Sequence, residues 1–160
     1  MLNDSRISIY RYLESLLVAN VTENVYLMDE PQELTQSDTE EGFIVVQIGD
    51  FYDSSEFDCD AYGWARAFVK VYVPPITRGR LNVAKYEEFE TNVNDVIKTA
   101  SQDKTGDYWI QSDSVLSMDT TVETNANNAY NVFVKSFIVF VDNKSNNYLK
   151  KGYNNGKNNC

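Results

Sequence analysis

The clearest pattern in the chain runs from Trp64 to Val73. Ala65, Ala67, Val69, Val71 and Val73 alternate with Trp64, Arg66, Phe68, Lys70 and Tyr72. A period of two predicts a strand with one small apolar face and one mixed aromatic and cationic face. Pro74 and Pro75 lack the N–H that a ladder needs and end it. Two stretches keep a period near 3.6 instead. Ile9, Leu13, Leu16, Leu17 and Asn20 predict an amphipathic helix over 5–20, with Asp4 or Ser5 as its cap. Tyr86, Phe89, Val93, Val96, Ile97 and Ala100 predict a second over 83–101, capped by Asn82, whose apolar stripe suits the alanine and valine face.

The remaining apolar runs read as strands: VYLM at 25–28, FIVVQI at 43–48, a weaker YWIQSDSVLS at 108–117 and a long AYNVFVKSFIVFV at 129–141. The last has apolar residues on both sides, which places it in the middle of a sheet. EPQELTQSDTEE at 30–41 has loop composition and no periodicity. The order α, β, β, β, α, β, β predicts an α+β domain, a mainly antiparallel β-sheet with two helices packed on one face. Residues 1–142 read as that single domain. The segment 143–160, with seven Asn, four Lys and no acidic residue, reads as a flexible tail.

Composition narrows the function. The chain has 160 residues, a net charge of −10 and no histidine. The acidity argues against gripping nucleic acid or anionic lipid, since both require clustered Lys and Arg. Without histidine the usual general base and the Ser-His and Cys-His nucleophile systems are ruled out within the chain, and so is the commonest zinc ligand. Cys59 and Cys160 lie too far apart in sequence to suggest a disulfide framework, so a reducing cytoplasm is the expected setting. The N-terminal residues lack the apolar core of a signal peptide, and no run is long enough to span a bilayer. Nothing in the chain calls for a cofactor, and no two carboxylates are fixed as a catalytic pair, so an enzyme is not expected.

Charge is segregated along the chain. Residues 12–65 hold thirteen Asp and Glu and no Lys or Arg, densest in DFYDSSEFDCD at 50–60. A calcium loop starting at Asp58 and Asp60 fails, because Tyr62 and Val69 stand where oxygen ligands are required. Phe51, Tyr52 and Phe57 among these carboxylates either fold back on the core or dock into a partner. The loop PPITRGR brings Arg78 and Arg80 together beside Gly79. A basic loop on one copy meeting Asp58 and Asp60 of the next is a head-to-tail contact, which makes a ring if its rotation closes. The face of Trp64, Arg66, Phe68, Lys70 and Tyr72 has the composition of a protein interface; the alternative is a half-exposed face with long basic stems lying over the rings.

With the helix over 5–20, the strands FIVVQI and WARAFVKVYV, the helix YEEFETNVNDVI and the closing strand NVFVKSFIVFV in that order, the chain resembles the tail-terminator and neck (head-to-tail) ring family of tailed bacteriophages over about residues 5–142. Its richness in Asn, Lys and Tyr is similar to that of crAss-like phages. The resemblance implies a structural virion protein, assembled in the host cytoplasm. It would form a closed hexameric or dodecameric ring of identical subunits in the neck or tail. Portal, neck and tail ring proteins would be its neighbours, and DNA would pass through the lumen without specific binding. The acidic loops at 29–42 and 50–60 depart from the commonest pattern. A monomeric binding module, holding a carbohydrate or small ligand in its aromatic and acidic loops, is the alternative expectation.

Overall fold

The computed structural model describes residues 2–53, 62–77, 79–104, 106–125 and 128–142. The elements are helix α1 (Leu2–Asn20), strand β1 (Val25–Leu27), helix α2 (Gln36–Glu41), strands β2 (Phe43–Asp53) and β3 (Tyr62–Val73), helix α3 (Val83–Gln102), strand β4 (Tyr108–Ile110), a 3-10 turn (Ser112–Ser114), and strands β5 (Leu116–Asn125) and β6 (Asn128–Asp142). This is the α+β fold expected from the pattern. Six strands form one sheet in the order β1, β2, β3, β6, β4, with β5 also against β6. β1 runs parallel to β2, and the other pairings are antiparallel.

The small face of β3 is closed by helices. Ala65, Ala67, Val69, Val71 and Val73 form one core with Ile9, Leu13 and Leu17 of α1 and Phe89, Val93 and Ile97 of α3. Short side chains let the helices lie close, where their apolar stripes leave water. β6 is central, as its two apolar sides predict: it pairs with β3 along one edge and with β4 and β5 along the other.

Several boundaries differ from the sequence reading. α1 begins at Leu2, so Asp4 and Ser5 lie inside its first turn rather than ahead of it. Asn82 does cap α3, accepting from the Lys85 N–H at 3.2 Å. The stretch read as loop at 30–41 contains α2, opened by a reciprocal cap in which Thr35 Oγ1 accepts from the Asp38 N–H and Asp38 Oδ2 from the Thr35 N–H. The weak strand at 108–117 is broken by the 3-10 turn, and β5 extends to Asn125, past the apolar signal.

β2 also runs beyond its apolar portion, as far as Asp53, and carries a bulge. Ile48 pairs with Ala67 and Phe51 with Ala65, so β2 spends one residue more than β3 between these points. The extra residue exchanges the faces. Ile44, Val46 and Ile48 meet the helices before the bulge; after it Phe51 meets them and Tyr52 faces away. Side chains of α1 satisfy the interrupted backbone. The Ile48 N–H donates to Tyr10 Oη at 3.0 Å, and Arg6 Nη2 donates to the Ile48 carbonyl at 2.7 Å. No helix among the described residues is long and apolar enough to cross a membrane.

Candidate functional site

The sheet face away from α1 and α3 is divided in two. At the end near Tyr72 it is covered by its own chain. Phe43, Val45, Tyr72, Tyr130, Val132 and Val134 form a second core, with Tyr26, Leu34 and Phe68 against it. Phe43 and Tyr72 stack at 4.4 Å, and Tyr26 and Tyr130 meet Phe43 edge-on. The Tyr72 hydroxyl donates to Glu30. Tyr72 is therefore only 2% exposed in the single chain and offers little to a partner, unlike the other residues grouped with it from sequence.

The cluster is anchored by Asp38, a fully buried carboxylate. Its Oδ2 accepts from the Tyr26 hydroxyl at 2.6 Å, while Oδ1 has no partner among the described residues. Burial, and then the bond to and charge of Asp38, push the Tyr26 hydroxyl up to about 12. The Thr35-x-x-Asp38 spacing was a legible helix-start signal; nothing in the sequence pairs Asp38 with Tyr26.

The other end carries a row of half-buried to exposed rings. Tyr52 pairs with Trp64, Trp64 with Phe140 and Phe140 with Trp109, so four rings stand in one row across β2, β3, β6 and β4. Tyr52 stacks on Trp64 at 4.4 Å and Trp109 on Phe140 at 5.4 Å. Tyr52 remains 52% exposed. In the adjoining rows lie Arg66 beside Ile138, Phe68 beside Ser136, and Lys70 beside Val134. Arg66 Nη1 donates to Ser136 Oγ at 3.0 Å. At the β5 margin Leu116 and Met118 are 56% and 46% exposed. β5 has β6 as its single strand neighbour among the described residues.

The remaining sequence candidates distribute differently. Phe51 folds back onto the helix-side core, its ring against Gly63. Arg80 is exposed and closes a turn, its N–H donating to the Thr77 carbonyl and its carbonyl accepting from Ile76, with Gly79 at φ +80° supplying the left-handed residue. Phe57, Asp58, Asp60 and Arg78 lie outside the described residues. Among the described residues no three carboxylates or thiols converge as a metal site.

The sequence reading missed a groove on the helix side. α1, α3 and residues 106–108 enclose about 410 Å³. Tyr12, Leu16, Val96 and Ala100 are apolar lining, and Asp95, Asp103 and Asp107 are also in the wall. Tyr12 and Tyr108 stack at 4.8 Å at one side of it. Burial and the Asp103 carboxylate raise the Tyr12 hydroxyl above its usual range. The three aspartates sit far apart in sequence from Tyr12 and Leu16, so only the packing of α1 on α3 reveals them as one wall.

No known protein family and no curated protein matches the chain.

Proposed function

We propose that the protein is a structural, non-enzymatic subunit whose identical copies close head to tail into a hexameric or dodecameric ring, in the neck or tail of a phage particle between portal and tail. The observation that carries the reading is the aromatic row at the Tyr52 end of the sheet. The row Tyr52, Trp64, Phe140 and Trp109 is half-buried apart from the exposed Tyr52, with Arg66 in the adjoining row and exposed Leu116 and Met118 on β5 of the same sheet face. Aromatic rings and arginine at the centre of an apolar patch are the composition that concentrates binding energy at protein interfaces. The resemblance in element order supplies the place in the virion. Contact between Arg78 and Arg80 of one copy and Asp58 and Asp60 of the next supplies the polarity of the ring. An acidic lumen would repel phosphate and let DNA pass unbound.

Mass photometry and negative-stain microscopy of the purified chain, alone and mixed with portal and tail proteins from the same genome, test the reading. Closed rings in either sample are expected. A monomer that joins no assembly in the mixture overturns it.

One observation favours a second reading. A row of rings on one sheet face is also a platform for the C–H faces of sugars, which fits a monomeric carbohydrate-binding module. Thermal-shift screening against oligosaccharides discriminates, because a ligand at a hundred times its Kd adds about 2.7 kcal/mol.

A further inference from the structure

The groove between α1 and α3 lies on the side of the sheet opposite the proposed ring contact. It encloses about 410 Å³, a volume within the range of small-molecule sites. Its charge is one-sided. Asp95, Asp103 and Asp107 stand in its wall, and among the described residues no lysine or arginine lines it. Lys98 and Lys104 are exposed outside that wall. The last turn of α1 reaches the groove through Asn20 and that of α3 through Thr99 and Ala100, and neither turn holds a basic residue. The negative ends of two helix dipoles thus add to the carboxylates. Burial and then the charge of Asp103 raise the Tyr12 hydroxyl, so Asp103 is already engaged. The carboxylates of Asp95 and Asp107 enter no ion pair among the described residues.

Charge is half of the pattern. Asp95 precedes Asp103 by eight residues, which is about 12 Å of helix, and Asp107 lies beyond the helix end. Between them the lining is apolar, made by Leu16, Val96 and Ala100. The stacked rings of Tyr12 and Tyr108 close one side, and ring faces attract ammonium groups as well as methylenes. We propose that the groove binds a linear aliphatic polyamine, its methylenes on Leu16, Val96 and Ala100 and its ammonium groups at Asp95 and Asp107. Such a chain separates its positive charges by apolar stretches, as the groove separates its negative ones. A divalent metal ion fits less well. It requires several oxygens around one point, and no three carboxylates converge among the described residues. A single ammonium would leave one of the two aspartates without a counter-charge. The groove is formed within one chain, so the proposal stands apart from the ring reading.

The test uses the full chain, ¹⁵N-labelled and titrated with spermidine at about 0.15 M salt, where long-range attraction to the acidic surface is largely screened. Saturable one-to-one shifts confined to the groove-lining residues of α1, α3 and 106–108 are expected. D95N and D107N should each weaken binding about two- to fivefold, the worth of one exposed ion pair. E87Q removes an exposed charge from α3 outside the groove and should leave the affinity unchanged. Magnesium brings charge without methylenes and should not displace spermidine at equal concentration. Absence of shifts, shifts scattered over the acidic surface, equal weakening by E87Q and D95N, or displacement by equimolar magnesium overturns the proposal. Asp95 and Asp107 are both exposed, so the variants should keep the dispersed spectrum of the wild type. The shift map and the magnesium competition are read on the wild type and need no variant.

Discussion

Lys135 Nζ, on the central strand β6, lies 3.2 Å from Glu90 Oε1 on α3. The lysine also donates to Ser117 Oγ at 2.8 Å and sits 5.7 Å above the Phe133 ring. The two ends of the pair are unlike: the Lys135 side chain is 5% exposed and that of Glu90 39%. Removing the carboxylate strands a buried ammonium, whereas removing the lysine leaves a glutamate that can turn to water. Glu90→Ala should cost about 1–3 kcal/mol, and Lys135→Met less than about 1 kcal/mol. Urea denaturation with unchanged m-values checks the order; a larger loss for Lys135→Met would contradict it.

Two glycines are held by different neighbours. Gly42 links α2 to β2 at φ +89°, and a Cβ there would stand 2.4 Å from the Tyr72 carbonyl, which β3 fixes. Gly42→Ala should therefore cost on the order of 3 kcal/mol. At Gly63 the obstacle is the Phe51 ring, whose Cζ would stand 1.9 Å from an added Cβ. Gly63→Ala should cost about 1–3 kcal/mol and cost less in a Phe51→Leu background. Additive losses at 51 and 63, measured by thermal unfolding, would rule out the contact.

Tyr26 makes a prediction about alkaline pH. Its hydroxyl titrates near 10 when unfolded and is pushed up to about 12 in the folded chain. Below pH 10 both states hold the proton and the contribution is complete; between pH 10 and 12 the unfolded chain releases it first, so stability falls. Tyr26→Phe should flatten the stability profile in that window. At pH 7 the variant should be less stable by about 2 kcal/mol, because the buried Asp38 loses a donor. A profile as steep in the variant as in the wild type would mean that another group is responsible.

The proposed contact face can be blocked without touching the core. Leu116→Glu with Met118→Glu places charge on two exposed positions, so stability should change by less than about 0.5 kcal/mol per site. Rings seen by negative stain should disappear. Unaltered rings would move the contact elsewhere.

The proposed head-to-tail contact has a charge-reversal test of its own. Arg78 and Arg80 changed to Glu should weaken rings, and Asp58 and Asp60 changed to Arg in the same chain should partly restore them. Independent, additive losses by mass photometry would show that the loops do not meet.

The sequence by itself determined the fold class and most of the elements. Periods of two and 3.6 report which side of a local element is apolar, and they placed α3, the β3 faces and the two-sided burial of β6 without any knowledge of partners. What the chain hid were features whose cause is not local. α2 is six residues long and has little hydrophobic period of its own; it is held by the Thr35–Asp38 cap, by Asn24 Nδ2 on Ser37 Oγ and by Tyr26 on Asp38. β5 is specified by its ladder to β6 more than by its own composition.

The tertiary structure alone decided which rings are available. A strict alternation carried on from Ile44, Val46 and Ile48 would send Tyr52 to the helices and Phe51 outward. The extra residue after Ile48, whose backbone is satisfied by Arg6 and Tyr10 from 38 or more residues away, reverses that assignment. The same holds for Tyr72, which pattern alone groups with Trp64. Glu30 and the Phe43 ring, distant in sequence, remove it from the surface. Local periodicity fixes the direction of a side chain relative to its own strand; whether that direction ends in water depends on which remote segment the rest of the chain brings over it.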